Sequence, residues 1–388
     1  MKHAAKKSYS LGLIALLASC GANPYASLRM AKAITVAEAE QTRIDAGKME
    51  NLSIFSNDAI EQIRAQETKN FAFSPLSYFQ NVAAVYSLAD EADPGALRLL
   101  GASSQKELLG ALGDLSKRVF SMDPNPNHPQ RIVTSNLVVD YAKAFGEEKI
   151  QALIAEGYFS YQNDPSKAKE DLDSFMKEVS GGNVASYPWS MPKEGELSFV
   201  SGLYADVSYP LAFPETPLSR LPFDGQGEFD YFHGDQYASE IVVDEDYLAF
   251  RMGSLRFVKP VGGLADFFAQ YSFDECFSNE DPQEYKITLS LPKLSLSSSL
   301  DLKGVSEAMG LAKSDIRFGQ ASFAWDQLKQ NSTLSFTNSG VRAYTATVSG
   351  LIPASAPIMD IALDSPFAFE ILGRDDIVLY YGEIHSLS

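Results

Sequence analysis

The spacing of apolar residues changes character near the middle of the chain. Between positions 50 and 66, apolar residues recur every three or four positions, which places them on one face of a helix. These residues are Leu52, Phe55, Ala59, Ile60 and Ile63. The same periodicity predicts further helices over residues 76–89, 104–120, 146–157 and 165–180.

A short apolar run, Phe71–Phe73, precedes the second of these helices and predicts a buried strand. Ser74 and Pro75 follow it directly. Serine is favoured at the position just before a helix, and proline is favoured in the first helical turn. We therefore expect the helix to begin after Ser74, with the Ser74 side chain as its cap.

Strand patterns dominate the second half of the chain. Five segments rich in β-branched and aromatic residues predict strands: 198–207, 240–250, 253–260, 285–291 and 376–384. One helix, over residues 300–312, is inserted among them. A helical first half followed by a strand-rich second half indicates an α+β fold. Because no repeat and no long linker interrupts the apolar positions, we expect a single domain over residues 49–388.

The charge balance narrows the possible partners. The chain has 388 residues, of which 32 are Lys or Arg and 50 are Asp or Glu, so its formal net charge is −18. A hydrophobic content of 45% is that of a globular protein and excludes a disordered chain. Nucleic-acid binding needs clustered Lys and Arg, so the acidic balance argues against that partner. Two cysteines cannot form a disulfide framework, and four histidines provide few ligands for a metal site.

The first twenty residues have the pattern of an export signal. Lys2, Lys6 and Lys7 form a positive start. The apolar stretch that follows, Leu11–Ala18, is too short to span a bilayer as a helix. A charged start followed by a short apolar stretch is typical of a signal peptide, over residues 1–19.

The stretch ends in Leu17-Ala18-Ser19-Cys20, which resembles the bacterial lipobox. The resemblance implies that Cys20 is lipidated and becomes the first mature residue. It therefore implies an exported lipoprotein, anchored in the membrane at the bacterial outer membrane or cell surface. Residues 20–48, which are polar and rich in alanine, would then be a tether. An ordinary secretory signal cleaved near Ala22 or Ala26 is the alternative.

Motifs give no positive evidence for an enzyme. The chain lacks the Gly-x-Ser-x-Gly elbow, the His-Glu-x-x-His helix and the phosphate loop. Gly225-Gln226-Gly227 and His233 are interpreted as turn residues. The acidic runs 244–246 and 375–376 are candidate cation ligands but lack the spacing of a calcium loop, so solvated turns are the simpler interpretation. Ser74 has no identifiable base, so we expect no catalytic residue, no metal and no cofactor.

Several stretches, taken in order, resemble motifs of the serpin family. Residues 71–77 (FAFSPLS) resemble its F-S-P-x-S motif. Residues 287–294 (ITLSLPKL) resemble its L-x-L-P-K-F strand, and the helix at 300–311 follows at the expected place. Residues 364–369 (DSPFAF) and 378–384 (VLYYGEI) resemble the two terminal strands. The order and separations match over essentially the whole mature chain.

This resemblance implies the serpin fold, in which helices pack on a large mixed β-sheet, with further sheets and an exposed reactive-centre loop. The loop would span about residues 340–357. The resemblance also implies a protease inhibitor rather than an enzyme, with a target protease as its partner. We expect a monomer.

Two positions beneath the predicted large sheet depart from the family pattern. Ser201 stands where the family has asparagine, and Gln330, ten positions before Gly340, stands where many members have histidine. Serine and glutamine both form hydrogen bonds. The resemblance therefore implies a polar cluster beneath the sheet, called the shutter, which consists of Ser74, Ser77, Ser201 and Gln330. Its side chains at positions 201 and 330 differ from those of other members.

The segment from Gly340 to residue 357 has the composition of a strand rather than of a solvent loop, and its first residues are uncharged apart from Arg342. An inserted strand buries every second side chain. The uncharged alternate set consists of Val341, Ala343, Thr345, Thr347, Ser349 and Leu351. Arg342 and Tyr344 belong to the other set. We therefore expect the hinge, Gly340 to Thr347, to insert with its uncharged set facing the core.

Family spacing places the reactive bond after the fifteenth residue counted from the hinge glycine, which implies Ala354–Ser355. A small residue at Ala354 suits the small primary pocket of an elastase-like serine protease. In the family mechanism, the acylated protease is trapped when the cut loop inserts into the sheet. Tyr344 interrupts a run that is usually small, and Asn338 replaces a usual acidic residue. These departures leave a non-inhibitory surface binding protein as the alternative.

Overall fold

The computed structural model describes nine stretches of the chain, namely residues 28–91, 93–123, 130–179, 193–216, 218–277, 284–311, 316–326, 328–342 and 359–387. The expected signal peptide and Cys20 lie outside these residues, as does the expected reactive-centre loop after Arg342. No helix in the described stretches is long and apolar enough to cross a bilayer.

Several helices begin after a residue whose side chain accepts a hydrogen bond from a free amide group of the first turn. Asp45, Ser74 and Ser104 each act in this way. The helices in the described residues are α1 Val36–Gln41, α2 Ala46–Arg64, α3 Pro75–Leu88, α4 Pro94–Leu99, α5 Gln105–Val119, α6 Glu147–Ala155, α7 Ala168–Val179, α8 Leu264–Phe268 and α9 Lys303–Ala308.

Strands occur along the whole described chain. They are β1 Leu28–Arg29, β2 Phe71–Phe73, β3 Ser121–Asp123, β4 Gln130–Asp140, β5 Phe159–Gln162, β6 Leu197–Ser208, β7 Ser219–Phe223, β8 Gln226–Ala238, β9 Glu240–Val243, β10 Tyr247–Met252, β11 Leu255–Pro260, β12 Tyr285–Pro292, β13 Ser295–Asp301, β14 Ile316–Phe318, β15 Ala321–Phe323, β16 Lys329–Phe336, β17 Gly340–Arg342, β18 Met359–Ala362, β19 Phe367–Leu372 and β20 Val378–Ile384.

Most of these strands form three sheets. The largest has eight strands in the order β1-β5-β4-β6-β17-β16-β13, with β3 paired to β4. It is mixed, because β4 and β5 are parallel and the other pairs are antiparallel. A six-stranded sheet has the order β2-β20-β19-β11-β10-β9, and a four-stranded sheet has the order β18-β12-β8-β7. Helices packed on a large mixed sheet confirm the expected α+β architecture.

Helix α3 lies in the middle of the main core. Nearly all of its residues are buried, and it packs against α2, α5, β6 and β20. Apolar burial contributes about 25 cal/mol per Å², so this continuous core is the main stabilising feature. A second, smaller core lies between α7 and the large sheet and includes Leu137, Val139, Leu172 and Phe175.

The N-terminal segment corrects the tether prediction over residues 28–48. Leu28 and Arg29 form β1, which pairs with β5 at the edge of the large sheet. Leu28 is only 1% exposed and belongs to the smaller core. Arg29 donates two hydrogen bonds to the Glu147 carboxylate, at 3.0 and 2.8 Å. A two-residue strand has no measurable periodicity, which is why the sequence did not indicate it.

Several local predictions also need correction. The helix expected at 300–312 is shorter, because β13 continues to Asp301 and its Leu300 side chain is buried in the main core. His233 is not a turn residue but an exposed residue of β8, with its Nδ1 2.9 Å from the Ser290 Oγ. The first half is also less helical than expected, since it contains β4, a strand of 11 residues.

The two acidic runs differ from each other. Residues 244–246 form an exposed turn between β9 and β10, as expected, and divide the strand predicted at 240–250. Asp375 and Asp376 instead form ion pairs with Arg118 and Arg251, at 2.5 and 2.6 Å. The cations that these two carboxylates bind are therefore side chains of the same chain.

Replacing Leu28 by Ala tests the packing of the N-terminal strand. We expect the free energy of unfolding to fall by about 2 kcal/mol or more, because a buried leucine is truncated. Urea denaturation measures the change. Ile54→Ala is the control, since Ile54 is 50% exposed and its truncation should have little effect. Equal stability of the two variants would restore the tether interpretation.

Candidate functional site

Hydroxyl groups close the first turn of α3. Ser74 Oγ accepts a hydrogen bond from the Ser77 N–H at 3.2 Å and donates one to the Ser77 Oγ at 3.1 Å. Both side chains are buried. The capping role expected of Ser74 is therefore confirmed.

Gln330 joins the start of α3 to the large sheet. Its Oε1 accepts a hydrogen bond from the Ser74 N–H at 2.6 Å, and its Nε2 donates to the Ser74 carbonyl oxygen at 3.0 Å. Ser332 donates to the same Oε1 at 3.4 Å. Because one amide binds both backbone groups of one residue, it fixes the position of β16 relative to α3.

A similar contact lies next to this one on β13. Ser298 Oγ donates to the Ala72 carbonyl oxygen at 2.6 Å and accepts from the Ala72 N–H at 3.1 Å. Two neighbouring strands, β13 and β16, are thus both tied to the chain just before α3.

Ser201 does not join this cluster. It lies on β6, opposite Asn136 of β4, and its buried Oγ has no hydrogen-bond partner among the described residues. The amide oxygen and nitrogen of Asn136 also lack partners in this part of the chain, although Asn136 is only 2% exposed. The structure therefore brings together Ser74, Ser77 and Gln330 and leaves the fourth predicted shutter residue, Ser201, on a different strand.

The hinge residues form a strand inside the large sheet. β17 lies between β16 and β6, with Val341 opposite Phe336 on one side and Val207 on the other. Val341 is 1% exposed and belongs to the main core. The side chain predicted to be the first of the uncharged set therefore faces the core.

A two-residue turn, Asn338-Ser339, leads from β16 into β17. Thr337 closes the turn, because its N–H and its Oγ1 both donate to the Gly340 carbonyl oxygen, at 2.9 and 2.8 Å. The Ser339 N–H donates to the same Oγ1 at 3.3 Å. One threonine side chain thus binds both ends of the turn.

The segment after β6 binds this turn from the other side. The N–H groups of Tyr209 and Phe213 donate to the carbonyl oxygens of Ser339 and Asn338, at 3.1 and 2.7 Å. Tyr209, which stands where serpins have tryptophan, is 1% exposed, and burial raises the pKa of its hydroxyl well above the usual value. The hydrogen bonds that the described residues form with the hinge turn all come from uncharged groups.

Gly340 is required by the close approach of β17 to β6. A Cβ atom at this position would overlap the Val207 carbonyl oxygen and lie 2.9 Å from the Ser208 Cα. Any other residue would push the hinge away from β6.

β17 is much shorter than the two strands beside it. β17 pairs only with the last residues of β6 and β16, and within the described stretches β6 and β16 form no ladder with each other. Adjacent strands lie about 4.8 Å apart. At the level of β17, the two edges are therefore separated by the width of one further strand.

The remaining predicted site residues lie outside the described residues. They are Ala343, Thr345 and Thr347 of the hinge, Ala354 and Ser355 of the reactive bond, and Cys20 of the lipid anchor. Their roles stay predictions.

The described part of the chain gives little evidence for a nucleophile or a metal site. Cys276 is 1% exposed, and burial raises the pKa of its thiol to about 12, so it is not a nucleophile at neutral pH. No three His, Cys, Asp or Glu side chains of the described ranges converge to hold a metal ion.

Comparison with known families identifies the family of the protein. The sequence model of the family described as Serpin (serine protease inhibitor) matches residues 50–387. The chain belongs to the serpin family. No curated protein matches the sequence at a significant level.

Solved structures give the same fold for this serpin. The native thermophilic serpin tengpin is 14% identical, with a TM-score of 0.71 over 92% of this chain and 97% of tengpin. Serpin48 of the insect Tenebrio molitor is 18% identical, with a TM-score of 0.72 over 89% of this chain and 99% of Serpin48. Human thyroxine-binding globulin is 16% identical, with a TM-score of 0.68 over 87% and 98%. At these identities the likeness shows the fold alone.

Sequence reasoning missed Thr337 and Asn136. The run Phe336-Thr337-Asn338-Ser339-Gly340 has the form of a two-residue hairpin loop, so hairpin signals could have indicated the turn of the serpin hinge. No signal indicated Asn136, because β4 itself was not predicted.

Replacing Gln330 by Met tests the contact between β16 and α3. We expect the free energy of unfolding to fall by about 1–3 kcal/mol, because the backbone groups of Ser74 lose their partner while buried. Urea denaturation of the intact protein measures this change. Gln66→Met is the matched control at an exposed position of the same serpin. A Gln330 variant as stable as this control would show that the contact contributes nothing.

Proposed function

We propose that this serpin is a suicide inhibitor of a serine protease with a small, elastase-like primary pocket. The observation that carries the proposal is the position of β17, since Gly340–Arg342 already form a strand between β6 and β16. The chain that follows only has to continue this strand. Strand addition of this kind is the step by which serpins insert their loop into a sheet.

The reaction begins as ordinary proteolysis. The protease nucleophile attacks the carbonyl carbon of Ala354, and the amine of Ser355 leaves with a proton, which gives an acyl-enzyme. The freed loop then inserts into the large sheet and carries the acylated protease with it. The active site is distorted before water can hydrolyse the ester bond.

The alternation of side chains supports insertion. Val341 is buried in the main core, so every second residue after it would face the same side if the strand continued on insertion. These are Ala343, Thr345 and Thr347, which are small or hydroxylated and carry no charge. Insertion therefore buries no unpaired charge, which would cost several kcal/mol.

The energy released by insertion is adequate for the mechanism. About a dozen new ladder hydrogen bonds contribute roughly 0.5–1.5 kcal/mol each. Their sum is comparable with the whole stability of an ordinary domain, about 5–15 kcal/mol. Insertion is therefore strongly downhill once the loop is cut.

The residue before the bond selects the protease. Ala354 has a small side chain that fits a small primary pocket, and Ile352 and Pro353 before it suit extended binding in the cleft. No Lys or Arg lies near the bond, which argues against a trypsin-like target.

A non-inhibitory surface binding protein is the second candidate. Tyr344 is bulky in a run that inhibitory serpins fill with small residues, and Asn338 replaces their acidic residue. The structural neighbours include thyroxine-binding globulin with its ligand and uncleaved ovalbumin. In this alternative, proteases cut the loop without being trapped.

We further infer that the protein is exported and anchored in a membrane by a lipid on Cys20. Leu28 is the first residue of β1, so only seven residues would separate the lipidated cysteine from the fold. At roughly 3.5 Å per residue, this tether spans at most about 25 Å. The inhibitor would act close to the membrane surface and protect the cell envelope. Mass spectrometry of the mature N-terminus tests the anchor.

Incubation with elastase tests the proposed function directly. We expect an SDS-stable complex at a near-equimolar ratio, and a thermal midpoint for the loop-cleaved protein well above that of the intact protein. Cleavage at Ala354–Ser355 without a complex and without a rise in thermal midpoint would favour the binding protein.

Replacing Thr345 by Glu should convert the inhibitor into a substrate. A carboxylate would have to enter the core unpaired, which slows insertion and lets hydrolysis finish. The ratio of complex to cleaved protein on a denaturing gel measures the change. Tyr344→Glu is the matched control, because position 344 belongs to the alternate set that would face outward on insertion. If both variants still form complex like the unmodified protein, the inward assignment is wrong.

Replacing Ala354 by Arg should change the target. We expect the association rate constant to rise for trypsin and to fall for elastase, at least tenfold each, because a trypsin-like pocket requires a basic residue. Stopped-flow or progress-curve kinetics measures both rates. Unchanged rates for both proteases would place the reactive bond elsewhere.

A further inference from the structure

We propose that a buried charge cluster on the six-stranded sheet binds one proton at mildly acidic pH, on the carboxyl group of Glu370, and that this proton stabilises the fold. The cluster is defined by the ion pairs Arg64–Glu383, Arg256–Asp274 and Arg256–Glu370. The proposal goes beyond the proposed function and does not depend on loop insertion.

Glu370 lies in the middle of the cluster, away from solvent. It is on β19, directly opposite Arg256 of β11 and Tyr381 of β20, so the three side chains share one face of the sheet. Arg64 of α2 and Asp274 of the helical turn Asp274–Cys276 bind to this face through Tyr381 and Arg256. Because Glu370 is only 1% exposed, water does not solvate its charge.

Arg256 divides its hydrogen bonds between two carboxylates. Its Nε donates to the Glu370 Oε2 at 3.0 Å, and its Nη2 donates to the same oxygen and, at 2.7 Å, to the Asp274 Oδ1. A bidentate pair would use both oxygens of Glu370. Here the Oε1 takes no bond from Arg256 and can carry a proton. Asp274, whose side chain is 45% exposed, then remains as the partner of Arg256.

The cluster holds more negative than positive charge. Arg64 donates to the Glu383 Oε1 at 2.8 Å, and the Tyr381 hydroxyl donates to the same oxygen at 2.6 Å. With every group ionised, two guanidinium groups face three carboxylates, which leaves an excess of one negative charge. The rings of Phe268 and Phe277 lie over the two guanidinium groups, at 3.7 and 4.9 Å, and limit their contact with water. A buried excess charge is costly, and one bound proton removes it.

The hydroxyl and thiol groups near Glu370 do not change this balance. Burial raises the pKa of the Tyr381 hydroxyl well above its usual value. It also raises the pKa of the Cys276 thiol to about 12. Both groups are therefore neutral at the pH values at which a carboxyl group titrates.

The two remaining basic groups are engaged elsewhere. Arg251 lies next in the same row of the sheet but forms its own ion pair with Asp376, at 2.6 Å. His385 lies on the other side of Glu383, with its Nε2 3.0 Å from the Glu383 Oε2. The proton is therefore assigned to Glu370, the carboxyl group with the least access to water.

The resulting pH dependence has a definite sign. Burial raises the pKa of Glu370 from an ordinary value of 4.5 to about 7, against the attraction of Arg256. Between these two values the folded protein holds a proton that the unfolded chain has lost. By linkage, the stability that Glu370 contributes is complete at the acid end of this window and is lost as the pH rises through it.

Urea denaturation of the full chain and of Glu370→Gln tests the site. Glutamine has the shape of the protonated carboxyl group. At about pH 5 we expect the two proteins to have similar unfolding equilibrium constants, and at about pH 8 we expect the constant of the variant to be at least tenfold smaller. A variant that is less stable by the same factor at both pH values would overturn the proposal.

Glu383→Gln is the matched control, because it removes the other buried carboxylate of the cluster. Burial opposes ionisation of Glu383, but hydrogen bonds with His385 and Tyr381 and the charge of Arg64 lower its pKa. This variant should therefore be less stable than the unmodified protein at about pH 8, by at least about tenfold in the unfolding constant. If Glu370→Gln shifted stability in the same direction, Glu370 would be an ordinary ionised partner and the proposal would be wrong.

Carbon-13 NMR of protein labelled at the glutamate carboxyl carbons measures the proton directly in the folded state. We expect one resonance to titrate near neutral pH and to be missing in Glu370→Gln. If no glutamate titrates near neutral pH, no such site exists. If a pH dependence of stability persists in Glu370→Gln but disappears in His385→Asn, the imidazole binds the proton and the assignment to Glu370 is overturned.

Discussion

The organising constraint in this molecule is that buried strand edges need partners. β17 enters the large sheet between β6 and β16 and separates them, but it pairs with only the last residues of each. Backbone N–H and C=O groups that are buried without a partner cost free energy comparable to a lost hydrogen bond. The pairing of β17 therefore satisfies the facing backbone groups of β6 and β16 at the level of residues 340–342.

The two sides of this opening are held by different parts of the fold. On one side, β16 and β13 are tied through Gln330 and Ser298 to the chain that begins α3. On the other side, β6 and β4 belong to the half of the sheet covered by α7. Leu28 packs in the smaller core between α7 and this half of the sheet. β17 thus pairs with two strands that are anchored to different parts of the fold.

The six-stranded sheet is held instead by buried ion pairs. Arg256 binds the fully buried Glu370 of β19, and Arg64 binds Glu383 of β20 at 2.8 Å. Burial raises the pKa of Glu370 to about 7, against the attraction of Arg256. Removing one partner of such a pair would leave a buried charge, so this region has little freedom to rearrange.

The parts of this architecture that the sequence predicted are those set by local chemistry. The Ser74 cap and the amphipathic helices follow from neighbouring residues, and the ordered motifs led to Gln330. β1 and β4 were missed because long-range pairing, not local pattern, makes them strands. In β4, the polar Thr134 and Asn136 point into the core, which hides the alternation that identifies a strand.

That polar face also affects the stability of the fold. An apolar residue at position 136 or 201 would suit this core better, since neither side chain has a hydrogen-bond partner among the described residues. Each unpaired buried group costs about 1–3 kcal/mol. The two residues lie opposite each other in the β4–β6 ladder, so they place this cost at one point of the large sheet, and the apolar burial around them has to offset it.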